Sequence, residues 1–202
     1  VCKNAKTVPY QTGNVRKKQT QFNLLKKLEL SEIDHKKIIQ HCKKKKISFI
    51  SSPFDLESLN LLYHLKIFDI KIASGEINNY IFLKNIAKKA GRIFISSGMS
   101  TINEVSEAIK ILLKNGAKKK HITVLHCHTD YPTKLNDVNL FAMKNMKKKF
   151  SIDVGYSDHT TGNETAIAAV ALGAKVIEKH ITLNKSMRGP DHKASMEPKD
   201  FY

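Results

Sequence analysis

The sequence contains no tryptophan, few cysteines and no apolar run of the roughly 18 residues that a membrane-spanning helix needs. The opening residues also lack the pattern of a signal peptide. The cysteines are Cys2, Cys42 and Cys127, an odd number with irregular spacing and no CxxC pair. This usage is typical of reduced thiols. We therefore expect a cytoplasmic protein that does not associate with a membrane.

Arginine is scarce, although the formal net charge is +17. Arg16, Arg92 and Arg188 are the only arginines among 35 basic residues. Proteins that read bases and phosphates depend on the planar guanidinium group, whereas lysine suits a solvated surface. Lysine runs at 43–46, 118–120 and 147–149 close helix-like segments, where cations complement the helix dipole. We predict solvated helix ends and no nucleic-acid partner; a non-catalytic lysine-rich module that binds polyanions is the alternative.

Apolar, β-branched runs recur along the chain with starts about 21 to 30 residues apart, enough for one strand, one helix and two loops. These runs lie at 47–50, 68–73, 92–96, 122–126, 152–156 and 175–180. Strands that alternate with helices imply a parallel α/β sheet with right-handed crossovers. Near-continuous apolar strands indicate a sheet covered on both faces.

Helix boundaries are visible between these runs. Ser31 with Asp34 resembles a capping box ahead of a helix at 33–45, and Thr101 with Glu104 opens a helix at 102–114. Glycines after Asn115 and Leu172 close two helices, the second of which begins near residue 164. The pattern predicts about six of the eight βα units of a TIM barrel, without an internal linker and with both ends truncated.

Polar residues follow several of the runs, at the strand ends where a parallel barrel places its chemistry. His159, in GYSDHT (155–160), and His180, in EKHIT (178–182), follow neighbouring strands. Two neutral imidazoles at one mouth would bind a divalent metal and leave positions open for water and substrate. Asp158 and Glu178 either orient a ring or form buried ion pairs.

A lysine and a set of hydroxyl groups share these strand ends. Lys71 interrupts an apolar strand, so we expect it to face inward and to pair with Glu76 or with a bound phosphate or carboxylate. A Schiff-base aldolase built on Lys71 is the rival hypothesis. The hydroxyl and glycine positions are Ser51–Ser52, Ser74–Gly75, Ser96–Ser97–Gly98, Thr129 with Tyr131, and Ser157. Their repetition predicts a phosphorylated or polyanionic substrate.

Several motifs together resemble the sialic acid synthase family: SSPFDLESL, KIASGEINN, SSGMST, LHCHTDYPT, GYSDHT, AVALGAKVIEKHIT and GPDHKAS, in this order over residues 1–202. The resemblance implies a metal-dependent condensation of phosphoenolpyruvate with N-acetylmannosamine or a 2,4-diacetamido-6-deoxy sugar. The product is a nine-carbon 2-keto acid of nonulosonic acid biosynthesis, released with phosphate. It also implies a (β/α)8 barrel followed by an antifreeze-like domain, which residues 1–202 do not include.

The resemblance assigns roles to particular residues. The metal ligands would be His159 and His180, and the ion manganese or magnesium. Lys71 and Glu76 would join the two histidines as catalytic residues. The substrate-binding residues would be Ser52, Ser74, Ser96, Thr129, Tyr131, Ser157 and Asp191. By the same resemblance, the full-length protein would be a homodimer. Because an incomplete barrel exposes strand edges and part of its core, we expect residues 1–202 alone to be insoluble or inactive.

Overall fold

The structure, a computed structural model, describes residues 3–7 and 20–201. Five parallel strands form one sheet in chain order, each paired with the next. The strands are β1 (Ile70–Ile72), β2 (Ile93–Ser96), β3 (Ile122–Cys127), β4 (Asp153–Asp158) and β5 (Ile177–Lys179). The helices are α1 (Gln21–Lys26), α2 (Glu32–Lys44), α3 (Leu56–His64), α4 (Tyr80–Ala87), α5 (Ile102–Lys114), α6 (Phe141–Phe150) and α7 (Glu164–Ala171). This architecture is a parallel α/β half-barrel.

The predicted helix starts are confirmed by two capping boxes. The Ser31 hydroxyl accepts a hydrogen bond from the Asp34 amide, and the Asp34 carboxylate accepts one from the Ser31 amide. Thr101 and Glu104 repeat this exchange at the start of α5. Each box satisfies two amides that have no partner within the helix, so the helix begins at a defined residue.

The predicted helix ends at residues 115 and 172 are confirmed as well. Asn115 caps α5 and Leu172 caps α7, each followed by a glycine with positive φ, +111° at Gly116 and +97° at Gly173. Glycine adopts this backbone conformation without the steric cost of a Cβ atom. The chain therefore turns back towards the sheet at both places.

The prediction of six βα units is not confirmed, because segment 47–50 forms no strand. It approaches the sheet through one isolated bridge, in which Ser51 pairs with Ile70 and the Lys71 amide donates to the Ser51 carbonyl at 3.2 Å. Ile47 and Ile50 are 64% and 36% exposed. No further strand lies on this side among residues 3–7 and 20–201, so the segment has no ladder partner beyond β1.

The lysine runs are exposed throughout, as predicted. Run 43–46 begins in the last turn of α2, and run 147–149 lies in the last turn of α6. Run 118–120 differs from the prediction, because α5 ends at Lys114 and the run lies in the loop and 3-10 turn before β3. Within the described ranges no helix has both the length and the apolar character to cross a membrane.

The apolar core lies between the sheet and the helices. Alternate strand residues such as Ile72, Ile95 and Val154 are at most 1% exposed and pack against buried residues of the helices. The other face is also largely buried, as predicted: Phe94 and Leu125 are 9% and 1% exposed. At the carboxyl ends of the strands this face carries polar side chains, which define the site described below, because strand residues alternate between the two faces.

Candidate active site

A cavity of about 270 Å³ lies at the carboxyl ends of the strands. All predicted site residues except Ser52, Glu76 and Asp191 line it: Lys71, Ser74, Ser96, Thr129, Tyr131, Ser157, His159 and His180. Ala73, Gly75, Met99, Cys127 and Glu178 complete the lining. The structure thus brings together residues from every strand and from the loops that follow the strands.

Strand alternation explains why these residues meet. Ser157 and His159 are two positions apart, as are Glu178 and His180, so each pair projects to one face. The parallel register of β4 and β5 sets Ser157 beside Glu178. The two histidines therefore come from neighbouring strand ends, as the sequence predicts.

The two imidazole rings lie side by side with Tyr131 against both. The ring centroids of His159 and His180 are 5.6 Å apart, and the Tyr131 ring is 4.0 Å from His159 and 5.4 Å from His180. The Nδ1 atom of His159 hydrogen-bonds the carbonyl of His128 at 2.5 Å. Because a carbonyl only accepts, Nδ1 carries the proton and Nε2 has a free lone pair. Nε2 lies 3.3 Å from the Ser157 hydroxyl, which lines the cavity.

The donor set fits a divalent transition metal. Burial lowers the pKa of His159, which keeps the ring in the neutral form that ligates metals. No group of three or more His, Cys, Asp or Glu residues in the described part of the chain could hold an ion. His159 and His180 are two imidazole donors of the kind that such an ion accepts, without a third His, Cys, Asp or Glu ligand beside them among the described residues.

Lys71 faces the cavity as predicted, but its carboxylate partner is Glu178 and not Glu76. The Lys71 Nζ atom is 3.6 Å from Glu178 Oε2 and donates to the Ile72 carbonyl at 3.3 Å. Glu178 Oε1 accepts a 2.6 Å hydrogen bond from the Ser157 hydroxyl. One carboxylate therefore holds both a cation and a hydroxyl group at the cavity wall. Glu76 instead accepts from the Asn79 side-chain amide at 2.8 Å.

On the other side of the cavity, the hydroxyl group of Ser74 has hydrogen-bond partners and that of Ser96 has none among the described residues. Ser74 Oγ accepts from the Gly98 amide at 3.0 Å and lies 3.4 Å from Cys127 Sγ. Ser96 Oγ is buried and has no hydrogen-bond partner among the described residues. A buried hydroxyl without a partner is costly, so this group favours a polar ligand in the cavity.

Asp158 forms a buried ion pair, the alternative that the sequence left open. Its Oδ2 atom lies 2.7 Å from Lys179 Nζ, and both side chains are at most 4% exposed. The Asp158 carboxylate bonds Lys179 and Thr160, and within the described residues it makes no hydrogen bond to either histidine ring. Asp158 and Lys179 project away from the cavity, since each alternates with a cavity residue on its strand.

Ser52 and Asp191 lie outside the cavity lining. Ser52 is partly buried just after the bridge that joins residue 51 to β1. Asp191 precedes the 3-10 turn His192–Ala194, and its carbonyl accepts from the Ser195 hydroxyl at 2.8 Å. The loop that carries Asp191 folds back onto the end of β5, where the Met196 amide donates to the His180 carbonyl at 2.8 Å.

A larger cavity of about 450 Å³ lies at the other end of the strands, between α2 and segment 66–69. It is lined mainly by apolar residues and lysines and includes none of the predicted site residues. The smaller cavity is the better candidate, because it holds the histidines, the inward lysine and the hydroxyl groups.

Sequence reasoning missed the parts that Glu178, Cys127 and Met99 play at the cavity. It did not recognise Glu178 as the partner of Lys71, although the spacing of Glu178 and His180 on one strand places both on the same face. Cys127 was detectable in the same way, because it lies two positions before the predicted site residue Thr129, and in the structure it is the ladder partner of Ser157. Met99 had no comparable signal; it follows β2 with a φ of +57° and is 82% exposed at the cavity.

Comparison with known proteins agrees with the predicted resemblance. A family model described as the NeuB family matches residues 1–202. The chain belongs to the NeuB family. It is 52% identical over 197 residues to the N,N'-diacetyllegionaminic acid synthase of Campylobacter jejuni, a match that covers 98% of this chain and 59% of the relative. It is 41% identical over 203 residues to the synthase of the same name from Legionella pneumophila, covering 100% of this chain and 57% of the relative.

A solved structure has the same fold. The N-acetylneuraminic acid synthetase of Leptospira borgpetersenii, in complex with citrate, matches with a TM-score of 0.84 and 35% identity. The match covers 88% of this chain and 61% of that one. This NeuB family chain thus spans about three-fifths of the length of these relatives.

Proposed function

We propose that this chain forms the catalytic part of a sialic acid-type synthase that condenses phosphoenolpyruvate with an N-acetylated amino sugar. The observation that carries the proposal is the cavity in which His159, His180 and Lys71 converge, in a member of the NeuB family. The products of such an enzyme are a nine-carbon 2-keto sugar acid and phosphate, within nonulosonic acid biosynthesis for cell-surface glycans. The enzyme is a transferase that forms a carbon–carbon bond.

Lys71, Ser74, Ser96 and Ser157 would bind phosphoenolpyruvate. The ammonium group supplies positive charge to a phosphate or carboxylate, and the hydroxyl groups supply short hydrogen bonds. The unpartnered Ser96 hydroxyl supports this role, since a ligand oxygen would satisfy it. In the condensation, carbon 3 of phosphoenolpyruvate bonds to the sugar aldehyde carbon, water adds at carbon 2, and phosphate leaves by carbon–oxygen cleavage. Lys71 would stabilise the negative charge throughout.

His159 and His180 would hold a divalent ion, manganese or magnesium. When bound, the ion would act as a Lewis acid towards the aldehyde oxygen of the sugar. The His128 carbonyl fixes the tautomer of His159 and directs its Nε2 lone pair away from the backbone contact. Two imidazoles suit manganese better than magnesium, which prefers oxygen ligands.

Thr129 and Tyr131 at the cavity would contact the amino sugar, together with Glu76 and Asp191 from the surrounding loops, and Ser52 would join the residues that bind phosphoenolpyruvate. We propose a 2,4-diacetamido-6-deoxy sugar as the acceptor, because the two legionaminic acid synthases are among the relatives; N-acetylmannosamine is the alternative. We also propose that the full-length protein is a cytoplasmic homodimer with a C-terminal antifreeze-like domain.

Phosphate release tests the proposal directly. The full-length protein with phosphoenolpyruvate, manganese and either amino sugar is expected to release phosphate only when the sugar is present. His159→Gln and His180→Gln should each lower kcat by at least about 100-fold, as expected for a lost metal ligand. His64→Gln, at the exposed end of α3, is the matched control. Release that persists in both site variants would reject the metal assignment, and absence of release with both sugars would reject the proposed reaction.

A further inference from the structure

We infer that Lys179 is a positioning residue that fixes where His159 lies relative to His180. It does so from the face of β4 and β5 that points away from the cavity. This inference rests on the proposed function for its relevance to catalysis, but the contacts that support it do not depend on a ligand. Lys179 immediately precedes His180, and its ladder partner Asp158 immediately precedes His159. The two residues therefore join the two strand ends that carry the imidazoles.

The ammonium group of Lys179 has a complete set of acceptors. It donates to Asp158 Oδ2 at 2.7 Å, to the Thr160 carbonyl at 2.6 Å and to the Gly162 carbonyl at 2.7 Å. An ammonium group has three N–H donors, so each has one partner. Both carbonyls belong to the loop that follows His159. Lys179 thus fixes this loop on the side that faces away from the cavity.

The Asp158 carboxylate holds the same loop with its second oxygen. Asp158 Oδ1 accepts from the Thr160 amide at 2.9 Å and from the Thr160 hydroxyl at 2.8 Å. Asp158 and Thr160 are each 1% exposed. His159 lies between them, and its carbonyl accepts from the amide of Thr133, which belongs to the neighbouring loop after β3, at 2.9 Å. The backbone of His159 is therefore bonded on both sides, which limits where its ring can lie.

The burial of this ion pair indicates more than a contribution to stability. Two charges lose their hydration when buried, so such a pair often stabilises a fold no better than apolar residues of the same volume. The pair here has directional contacts to one loop only, the loop after His159. Metal sites depend on neighbouring groups that hold each ligating side chain in its precise position. We therefore assign Lys179 and Asp158 to the placement of the imidazoles.

The test compares Lys179→Met with Ile95→Ala in the full-length protein. Ile95 is 0% exposed in β2 and packs in the apolar core, so its truncation lowers stability without touching the loop. The double variant Lys179→Met/Asp158→Asn leaves no unpaired buried charge and is used if the single variant does not fold. Manganese affinity is measured by the EPR signal of the free ion, and hydrogen exchange is measured at the Thr133 and Thr160 amides. Both are recorded well below the unfolding temperature.

We expect the Lys179 variants to bind manganese about 10- to 100-fold more weakly and to exchange the Thr133 and Thr160 amides at least 10-fold faster. Ile95→Ala is expected to change neither. Unchanged manganese affinity in the Lys179 variants, or an equal loss in Ile95→Ala, would overturn the inference. If the unsubstituted protein binds no manganese, the metal assignment fails and hydrogen exchange alone tests the positioning role. Faster exchange confined to the Lys179 variants would then support that role. Unchanged exchange would reject it.

Discussion

Lys71 and Glu178 lie on the first and last strands of the sheet, yet their charged groups are 3.6 Å apart. Adjacent strands are separated by about 4.8 Å, so a flat sheet of five strands would hold the outer two roughly 19 Å apart. The contact therefore requires a strongly curved sheet, with its cavity enclosed on the concave side. It also gives the inward lysine a counter-ion, without which burial of the ammonium group would be unfavourable.

The first prediction concerns the charge of Lys71. Lys71→Met keeps the length of the side chain but removes the cation, so the variant should lose the main attraction for the phosphate or carboxylate. We expect kcat/KM for phosphoenolpyruvate to fall by roughly 100- to 1,000-fold, the range for removal of one group that stabilises developing charge. Lys110→Met, on the exposed face of α5, is the control and should retain full activity.

The same residue separates the two enzyme hypotheses. A Schiff-base aldolase would form a covalent adduct at Lys71 when borohydride is added with pyruvate. We expect no adduct by mass spectrometry, because the Lys71 ammonium is paired with Glu178 and faces an anion-binding cavity. Detection of an adduct that disappears in Lys71→Met would favour the aldolase and contradict the proposed reaction.

The second prediction compares Gly75, which lines the cavity, with Gly98, which packs against three residues of the lining. A Cβ atom at Gly98 would lie 2.8 Å from Ser74 Oγ, 2.8 Å from Thr129 Cγ2 and 3.0 Å from Cys127 Sγ, whereas one at Gly75 meets nothing within 4 Å. We expect Gly98→Ala to cost about 1–3 kcal/mol through overpacking, which lowers the unfolding temperature by several degrees. Its activity should fall as well, since the displaced residues line the cavity. Gly75→Ala should leave the unfolding temperature unchanged, and an equal loss in both variants would contradict the packing argument.

The third prediction concerns pH. Burial lowers the pKa values of His126 and His159 below 6.5, with the neighbouring His128 adding to the effect at His126. Below pH 6.5 the unfolded chain therefore binds protons that the folded protein does not, and stability falls as the pH decreases. We expect the unfolding temperature, measured with a chelator present, to fall between pH 7 and pH 5.5. Carboxylates do not contribute in this range, since their ordinary pKa values are near 4.

His126→Gln isolates one of these contributions. His126 packs against Tyr156 with ring centroids 5.8 Å apart, outside the cavity lining. The variant should have a lower unfolding temperature at pH 7 but a shallower loss on acidification than the unsubstituted protein. An identical pH dependence in the two proteins would show that His126 is not a source of acid sensitivity.

The sequence predicted the site more completely than it predicted the sheet. His159 and His180 were recognisable because two imidazoles follow consecutive apolar runs, and Lys71 because it interrupts an apolar strand, where an unpaired cation is costly. For Glu178 the sequence left ring orientation and an ion pair open and did not identify Lys71 as its partner, since the curvature that brings β5 to β1 depends on all five strands and cannot be seen in any local pattern. The ion pair of Asp158 was left undecided for a similar reason, because its partner is 21 residues away on the next strand.

The absence of the predicted strand at 47–50 has a different physical reason. Its residues Ile47, Phe49 and Ile50 have high strand propensity, and the pattern alone predicts a strand. Propensity for strands reflects packing against neighbours more than a preference of the backbone. In the described part of the chain this segment has a neighbour on one side only, and it forms a single bridge.

The last prediction follows from that exposed side of the sheet. Ile33, Ile47 and Phe54, all before β1, are 64%, 64% and 60% exposed. Apolar groups beside an unpaired strand edge promote association between chains. We expect residues 1–202, expressed alone, to aggregate or to be inactive. The control is a chimera in which the Campylobacter jejuni relative supplies its sequence on either side of the matched region; it should be monodisperse by light scattering and should release phosphate. A monodisperse and fully active preparation of residues 1–202 would contradict this expectation.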